Sequence, residues 1–366
     1  MSSVTKVGKD KWQARYRTPA GASRKRMFEK KVDAEQFLTS VDHRKLTGEY
    51  VDQAAGRTTF GVYARQWADA QPHRPSTSAS LESMLRRHII PKLGARPIGR
   101  IQPTEIQAFV TGLNLAPSTV ATLYGKVSAI FAAAVLDRVI TSSPCSKAIK
   151  LPRPAGGVIT PMTAAEVRSM VGAVDARYSA LLVMMAGTGL RPGEALGVTA
   201  DRVDFLRRTI RVDRQLLTVT GAMPAFAPPK TPGSNRTVVV PSNALDALSA
   251  HMATYAQGQD GLLFTREDGS PIRRDLLGSV WRAAAEKATV IDRSPHDLRH
   301  YAASVMIQQG ASVKAVQEQL GHEKASTTLD TYTHLWPSSN DITRRALEAG
   351  LDAVVSDSCP AVATDA

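Results

Sequence analysis

A mainly α fold with small β-sheets (α+β) is predicted by three features of the sequence. A basic run near the N-terminus alternates apolar and polar residues with period two. A long segment beginning at Pro117 repeats its apolar residues with the helical period. Short β-branched runs, at about 209–219 and 236–240, sit among helical segments of the C-terminal half.

Taken in order, WQARYRTPAGASRKRMF sets Trp12, Ala14 and Tyr16 against Gln13, Arg15 and Arg17. This predicts a hairpin closed by a Pro-Ala-Gly turn, followed by an amphipathic helix from Val32 to Leu46. Together they form a small N-terminal β-hairpin domain over 1–52. Its exposed face is expected to carry Arg15, Arg17, Arg24 and Arg26, suited either to phosphates or simply to water. From 58 to 149 the pattern is all-helical. Val120, Leu123, Tyr124, Val127, Ile130, Phe131 and Ala134 follow Pro117 as a core stripe, and Arg86, Arg87, His88, Lys92 and Lys126 are candidate phosphate contacts. Pro and Gly crowd the linker at 150–161. Thr163 to Glu166, TAAE, is a capping box that opens a mixed α+β domain over 162–351. The remainder, 352–366, reads as a flexible tail.

Composition narrows the function classes. A chain of 366 residues predicts two or three domains, and 43% hydrophobic content is enough for real cores. Lys and Arg number 46 against 33 Asp and Glu, a net charge of +13 that points to a polyanionic partner. The two cysteines, Cys145 and Cys359, make neither a disulfide framework nor a zinc site. The N-terminus lacks the apolar core of a signal peptide, and YSALLVMMAGTGL is too short to span a bilayer. A cytoplasmic protein with no membrane partner is expected.

Five motifs in the C-terminal half carry polar chemistry. In AGTGLRPGEAL a buried helix ends at glycines, leaving Arg191 in the turn as either an ion-paired structural residue or a phosphate clamp, with Glu194 as a candidate orienting partner. In PPKTPGSNRTVVV, Lys230 precedes a Pro-Gly turn at the tip of a hairpin. In SPHDLRH, Ser294 and Pro295 start a helix that places His296 and Arg299 on one face. His296 and His300 with Asp297 also imitate a zinc helix, but Arg299 would set a permanent cation beside the metal. Ser312 caps the next helix, Gly321 stops it, and His322 projects from the turn. Ser326 is expected to cap a last helix bearing Tyr332.

In the order TGLRPGE, PKT, HDLRH, LGH and TLDTYTH, this series resembles the tyrosine site-specific recombinases, in particular phage and mobile-element integrases. The resemblance implies that Arg191 and Arg299 clamp the scissile phosphate, Lys230 is the hairpin lysine, and His296 and His322 are the two histidines. Tyr332 would be the nucleophile, with Tyr301 as a rival. It further implies a 3′-phosphotyrosyl intermediate, with no cofactor, no metal and no ATP. One histidine would assist the phenol proton while the other donates to a non-bridging oxygen. The implied partners are double-stranded DNA attachment sites, a homotetramer on two duplexes, a host DNA-bending protein and a directionality factor. The basic N-terminal domain resembles an arm-site binding domain. A type IB-like topoisomerase and a non-catalytic DNA-binding relative are the alternatives.

Overall fold

The computed structural model describes residues 2–19, 21–47, 50–52, 54–153, 159–218, 222–229, 232–336 and 339–358. The chain forms two compact units, 1–156 and 157–366. The first opens with an antiparallel sheet of β1 (Ser3–Gly8), β2 (Lys11–Arg17) and β3 (Ser23–Phe28), one strand more than a hairpin. β1 is almost wholly exposed, so it shows no alternation from which a strand can be read. Ala14 and Tyr16 pack on Ala34, Leu38 and Val41 of α1 (Lys31–Leu46), with Tyr50 completing a small core.

The sheet register corrects the expected arginine face. Arg26 lies opposite Ala14 and Arg24 opposite Tyr16, and directly opposed residues share a face. Arg24 and Arg26 therefore belong to the side that carries α1. There Arg24 pairs with Asp52 at 2.6 Å, and Arg26 lies over the rings of Phe28 and Phe37 at 5.4 and 5.0 Å. The other face presents Arg15 and Arg17 together with Lys25. A one-residue difference in turn length exchanges the two faces, and the sequence does not show that length.

The rest of this unit is helical: α2 (Phe60–Asp69), α3 (Pro75–Met84), α4 (Ile90–Leu93), α5 (Pro103–Thr111) and α6 (Pro117–Leu136). Leu85–Ile89 joins α3 to α4 as a π-helical turn. Pro91 has no N–H to donate back to Arg87, and its ring would crowd that carbonyl, so the wider turn absorbs the fault. Leu85 and Ile89 point into the core there, while Arg86, Arg87 and Lys92 are exposed. His88 and Lys126 are half-buried. By length and composition α6 could cross a membrane. Its stripe of Val120, Leu123, Val127, Ile130, Phe131 and Ala134 instead builds the core with Phe60, Leu85 and Ile106.

The second unit starts where the TAAE motif indicates. Thr163 Oγ accepts the Glu166 N–H at 3.1 Å, and the Glu166 carboxylate accepts the Thr163 N–H at 2.6 Å. There follow α7 (Ala164–Ala173), α8 (Ala176–Thr188), α9 (Pro192–Leu196) and β4 (Val203–Asp204). Next come β5 (Thr209–Val212), β6 (Gln215–Leu217), β7 (Ala225–Ala227) and β8 (Arg236–Val239). The strands form an antiparallel sheet ordered β4-β5-β8 and a separate β6-β7 pair. Helices α10 (Ser242–Thr254), α11 (Arg274–Ala288), α12 (Asp297–Gln308), α13 (Val313–Leu320), α14 (Ala325–Tyr332) and α15 (Ser339–Ser358) complete it.

Helix α8 runs through the main core, burying Leu181, Leu182, Met184 and Met185. Lys230 lies outside the described residues, between β7 and β8. Two boundaries differ from expectation. α14 begins at Ala325, so Lys324 rather than Ser326 occupies its cap position. α15 continues through Ser358, past the tail expected from 352, because its helical spacing of apolar residues does not stop at Leu351.

Candidate active site

Four helix ends and one strand converge on a cluster of guanidinium groups. Helix α8 ends at Gly189, whose φ of 72° favours glycine. A Cβ there would also meet Leu320 Cδ2 at 2.6 Å. This tight junction brings the end of α8 against α13 and lets Gly189 O accept from Arg299 Nη1 at 2.8 Å. Arg299 is only 2% exposed. Burial and the like charge of Arg191 pull its guanidinium down to about 9, still charged at neutral pH.

Arg191 sits in the cap position of α9, and Glu194 holds it twice. The carboxylate accepts the Arg191 backbone N–H at 3.0 Å and its Nη1 at 2.7 Å. The same carboxylate accepts Arg236 Nη2 at 3.0 Å and Nη1 at 3.3 Å. Burial pushes the Glu194 carboxyl up, but Arg236 and Arg191 outweigh it and hold the group below its usual range. Arg191 also donates to Gly321 O at 3.2 Å, and Arg236 Nε to Gln319 O at 2.9 Å. Three guanidinium groups thus face one buried carboxylate, a local excess of positive charge suited to an anion.

Gly321 makes this approach possible. Its φ of 68° ends α13, and a Cβ would lie 2.8 Å from Arg236 Cδ and Nη1. The turn presents His322, whose Nδ1 is 2.8 Å from the buried Thr328 hydroxyl. Thr328 and Tyr332, four residues apart on α14, form its buried face. Tyr332 is 1% exposed and packs with Ala303, Ile307, Val316 and Leu320. Its ring stacks on His322 at 6.4 Å between centroids and 13° between planes. Its hydroxyl lies 2.8 Å from His300 Nδ1. Burial raises the phenol above its ordinary value, with Arg299 acting in the opposite direction.

Burial pulls His322 down to about 4, helped by Arg299, Arg191 and Arg236. His296 is lowered by partial enclosure of its ring and by His300 and Arg299, although the residue still reaches solvent. His300 is lowered chiefly by burial. Arg191, Glu194, His296, Arg299, His322 and Tyr332 therefore share one neighbourhood. The Asp297 carboxylate is taken by Ser294 N–H and Oγ at 2.8 and 2.7 Å, so the zinc-like pattern lacks its free carboxylate. Tyr301 packs against the main core. The sequence reading missed Arg236, Thr328 and the contact of His300. Only the i, i+4 spacing of Thr328 and Tyr332 offered a signal.

Residues 161–338 match the phage integrase family, and residues 60–150 match the phage integrase central domain. The chain belongs to this family of tyrosine recombinases. It is a site-specific DNA recombinase. It is similar to the prophage phiRv2 integrase of Mycobacterium tuberculosis, with 25% identity over 90% of both chains. It is also similar to a XerC-like tyrosine recombinase of Caldanaerobacter subterraneus, with 28% identity over 72% of this chain and 75% of the relative. The fold resembles that of the Tn1549 transposon integrase in complex with a circular intermediate DNA. The TM-score is 0.69 at 22% identity, covering 80% of this chain and 99% of that one. The topoisomerase alternative is not favoured by these relatives.

Two outcomes test the electrostatics of the recombinase. Glu194→Gln strands two guanidinium groups around a neutral amide and should cost about 3–5 kcal/mol in urea unfolding; an unchanged midpoint would show that the carboxylate is dispensable. His322, with an unfolded value near 6.5, takes up its proton in the folded state only at about 4. The unfolded chain binds more protons between those values, so this residue makes stability fall as pH drops through that window. An NMR titration of His322 with a midpoint near 6.5 would contradict this.

Proposed function

We propose that the second unit cuts DNA by attack of the Tyr332 hydroxyl on a phosphodiester held by Arg191 and Arg299. The observation that carries this reading is a buried tyrosine hydroxyl in the same neighbourhood as Arg299 and as the two guanidinium groups, Arg191 and Arg236, that bind the Glu194 carboxylate. Arginines suit the task because their planar forks bind two phosphoryl oxygens and stay charged. Glu194 orients Arg191. Of His296 and His322, one donates to a non-bridging oxygen and the other is the family motif's candidate for the phenol proton. Lys230 is assigned, on its motif, as the acid that protonates the departing 5′-oxygen. The 3′-phosphotyrosyl bond keeps the energy of the linkage, so a 5′-hydroxyl from a partner strand can reverse the attack and complete exchange. The reaction then needs neither metal nor ATP.

The wider assembly follows the family resemblance. Residues 58–149 serve as the core-binding domain, 162–351 as the catalytic domain, and 1–52 as an arm-site domain. Arg86, Arg87 and Lys126 contact phosphates in the core site. Four protomers act on two double-stranded attachment sites in the cytoplasm of a bacterial host, with a DNA-bending protein and a directionality factor as further partners. The exposure of Leu347 and Leu351, one helical turn apart on α15, supports docking of that helix on a neighbouring protomer.

Phenol extraction of a reaction on a nicked attachment site should recover protein-linked DNA with the wild type and none with Tyr332→Phe, while both bind the site equally. Persistence of the adduct would move the nucleophile elsewhere. Neutralising Arg15 and Arg17 should weaken arm-site binding and reduce its salt dependence, by about 0.9 in slope per lost phosphate contact. Unchanged binding would leave that face merely solvated.

A further inference from the structure

We infer that His300 is the base that takes the proton from Tyr332 during strand cleavage. This rests on the reading of Tyr332 as nucleophile and moves the phenol-proton role expected of His296 or His322 to a residue to which the family motifs give no role. Two imidazoles meet the Tyr332 ring and a third packs on one of them, and they differ in what their nitrogens can do. His322 lies flat against the tyrosine ring and uses Nδ1 on Thr328. His296 packs edge-to-face on His300 at 5.0 Å and has no hydrogen bond to the tyrosine. His300 meets the ring of Tyr332 edge-to-face at 5.7 Å and places Nδ1 2.8 Å from the hydroxyl. That is within the reach a general base requires.

The neighbourhood disfavours the doubly protonated ring at rest. Burial and the Arg299 guanidinium lower the His300 imidazole, with Asp297 acting in the opposite direction. The ring is therefore neutral, and the proposed transfer requires the tautomer with its hydrogen on Nε2, in which the Nδ1 lone pair accepts from the phenol. In the step itself, the Tyr332 O–H bond breaks and its proton passes to Nδ1, giving an imidazolium. The oxygen forms the bond to phosphorus. The bond from phosphorus to the 5′-oxygen breaks, and that oxygen takes a proton from the acid assigned to Lys230. In the reverse attack the imidazolium returns its proton to the departing phenolate.

His300→Asn separates proton transfer from orientation. The asparagine Oδ1 can occupy the place of Nδ1 and still accept the tyrosine hydrogen bond, but it cannot hold the proton. Covalent adduct formation on a nicked site should slow by about 10²–10⁴, with site binding unchanged. Fluorotyrosine at 332, whose ring is more acidic, should recover the asparagine variant by a larger factor than it changes the wild type. His300→Gln is the second variant should asparagine disturb the helix. An adduct rate within a few-fold of wild type in either folded variant, or no differential recovery with fluorotyrosine, would overturn the assignment. Adduct formation by Tyr332→Phe would instead overturn the underlying reading of the nucleophile, and this inference with it.

Discussion

The site depends on one carboxylate held between two guanidinium groups. Glu194 is almost wholly buried, and a carboxylate there would be costly without partners. Arg191 from the turn after α8 and Arg236 from β8 both bind it. Each arginine is in turn fixed to the end of α13, through Gly321 O and Gln319 O. Chain segments far apart in sequence are thereby locked around one point. Removing the carboxylate would disturb the aim of Arg191, the seat of β8 and the turn that presents His322.

The arrangement is tuned for an anion that arrives from outside. Glu194 does not neutralise the three arginines, and His322 is kept neutral by burial and by those cations. On the proposed reading a phosphodiester would balance this charge and offset the part of the histidine shifts that comes from the arginines, burial being the larger part. The phenol is also protonated at rest, because burial disfavours its charged form. On the proposed reading, the substrate phosphate would be part of the charge balance that makes attack by this phenol possible.

Much of this was legible in the sequence because local rules governed it. Pro117 with its apolar stripe, the Thr163–Glu166 cap, Ser312 and Gly321 each act within a few residues, and the structure realises them. Arg191, His296, Arg299, His322 and Tyr332 stood out as candidates because their motifs fall in a characteristic order, and the structure brings them into one neighbourhood. Long-range features were hidden. Arg236 looks like any strand arginine until the fold brings Glu194 to it. His300 reads as the neighbour of Arg299 until α14 delivers Tyr332. The arginine faces of the N-terminal sheet depend on register, which a turn decides and no composition reveals.

Tyr332, held among these arginines, is the residue proposed to become covalently joined to DNA. Mass spectrometry of the adduct, after nuclease trimming and proteolysis, measures this directly. The expected product is a nucleotide-bearing peptide whose modified residue is Tyr332. A modification on Tyr301, or on any residue outside the arginine cluster, would contradict it.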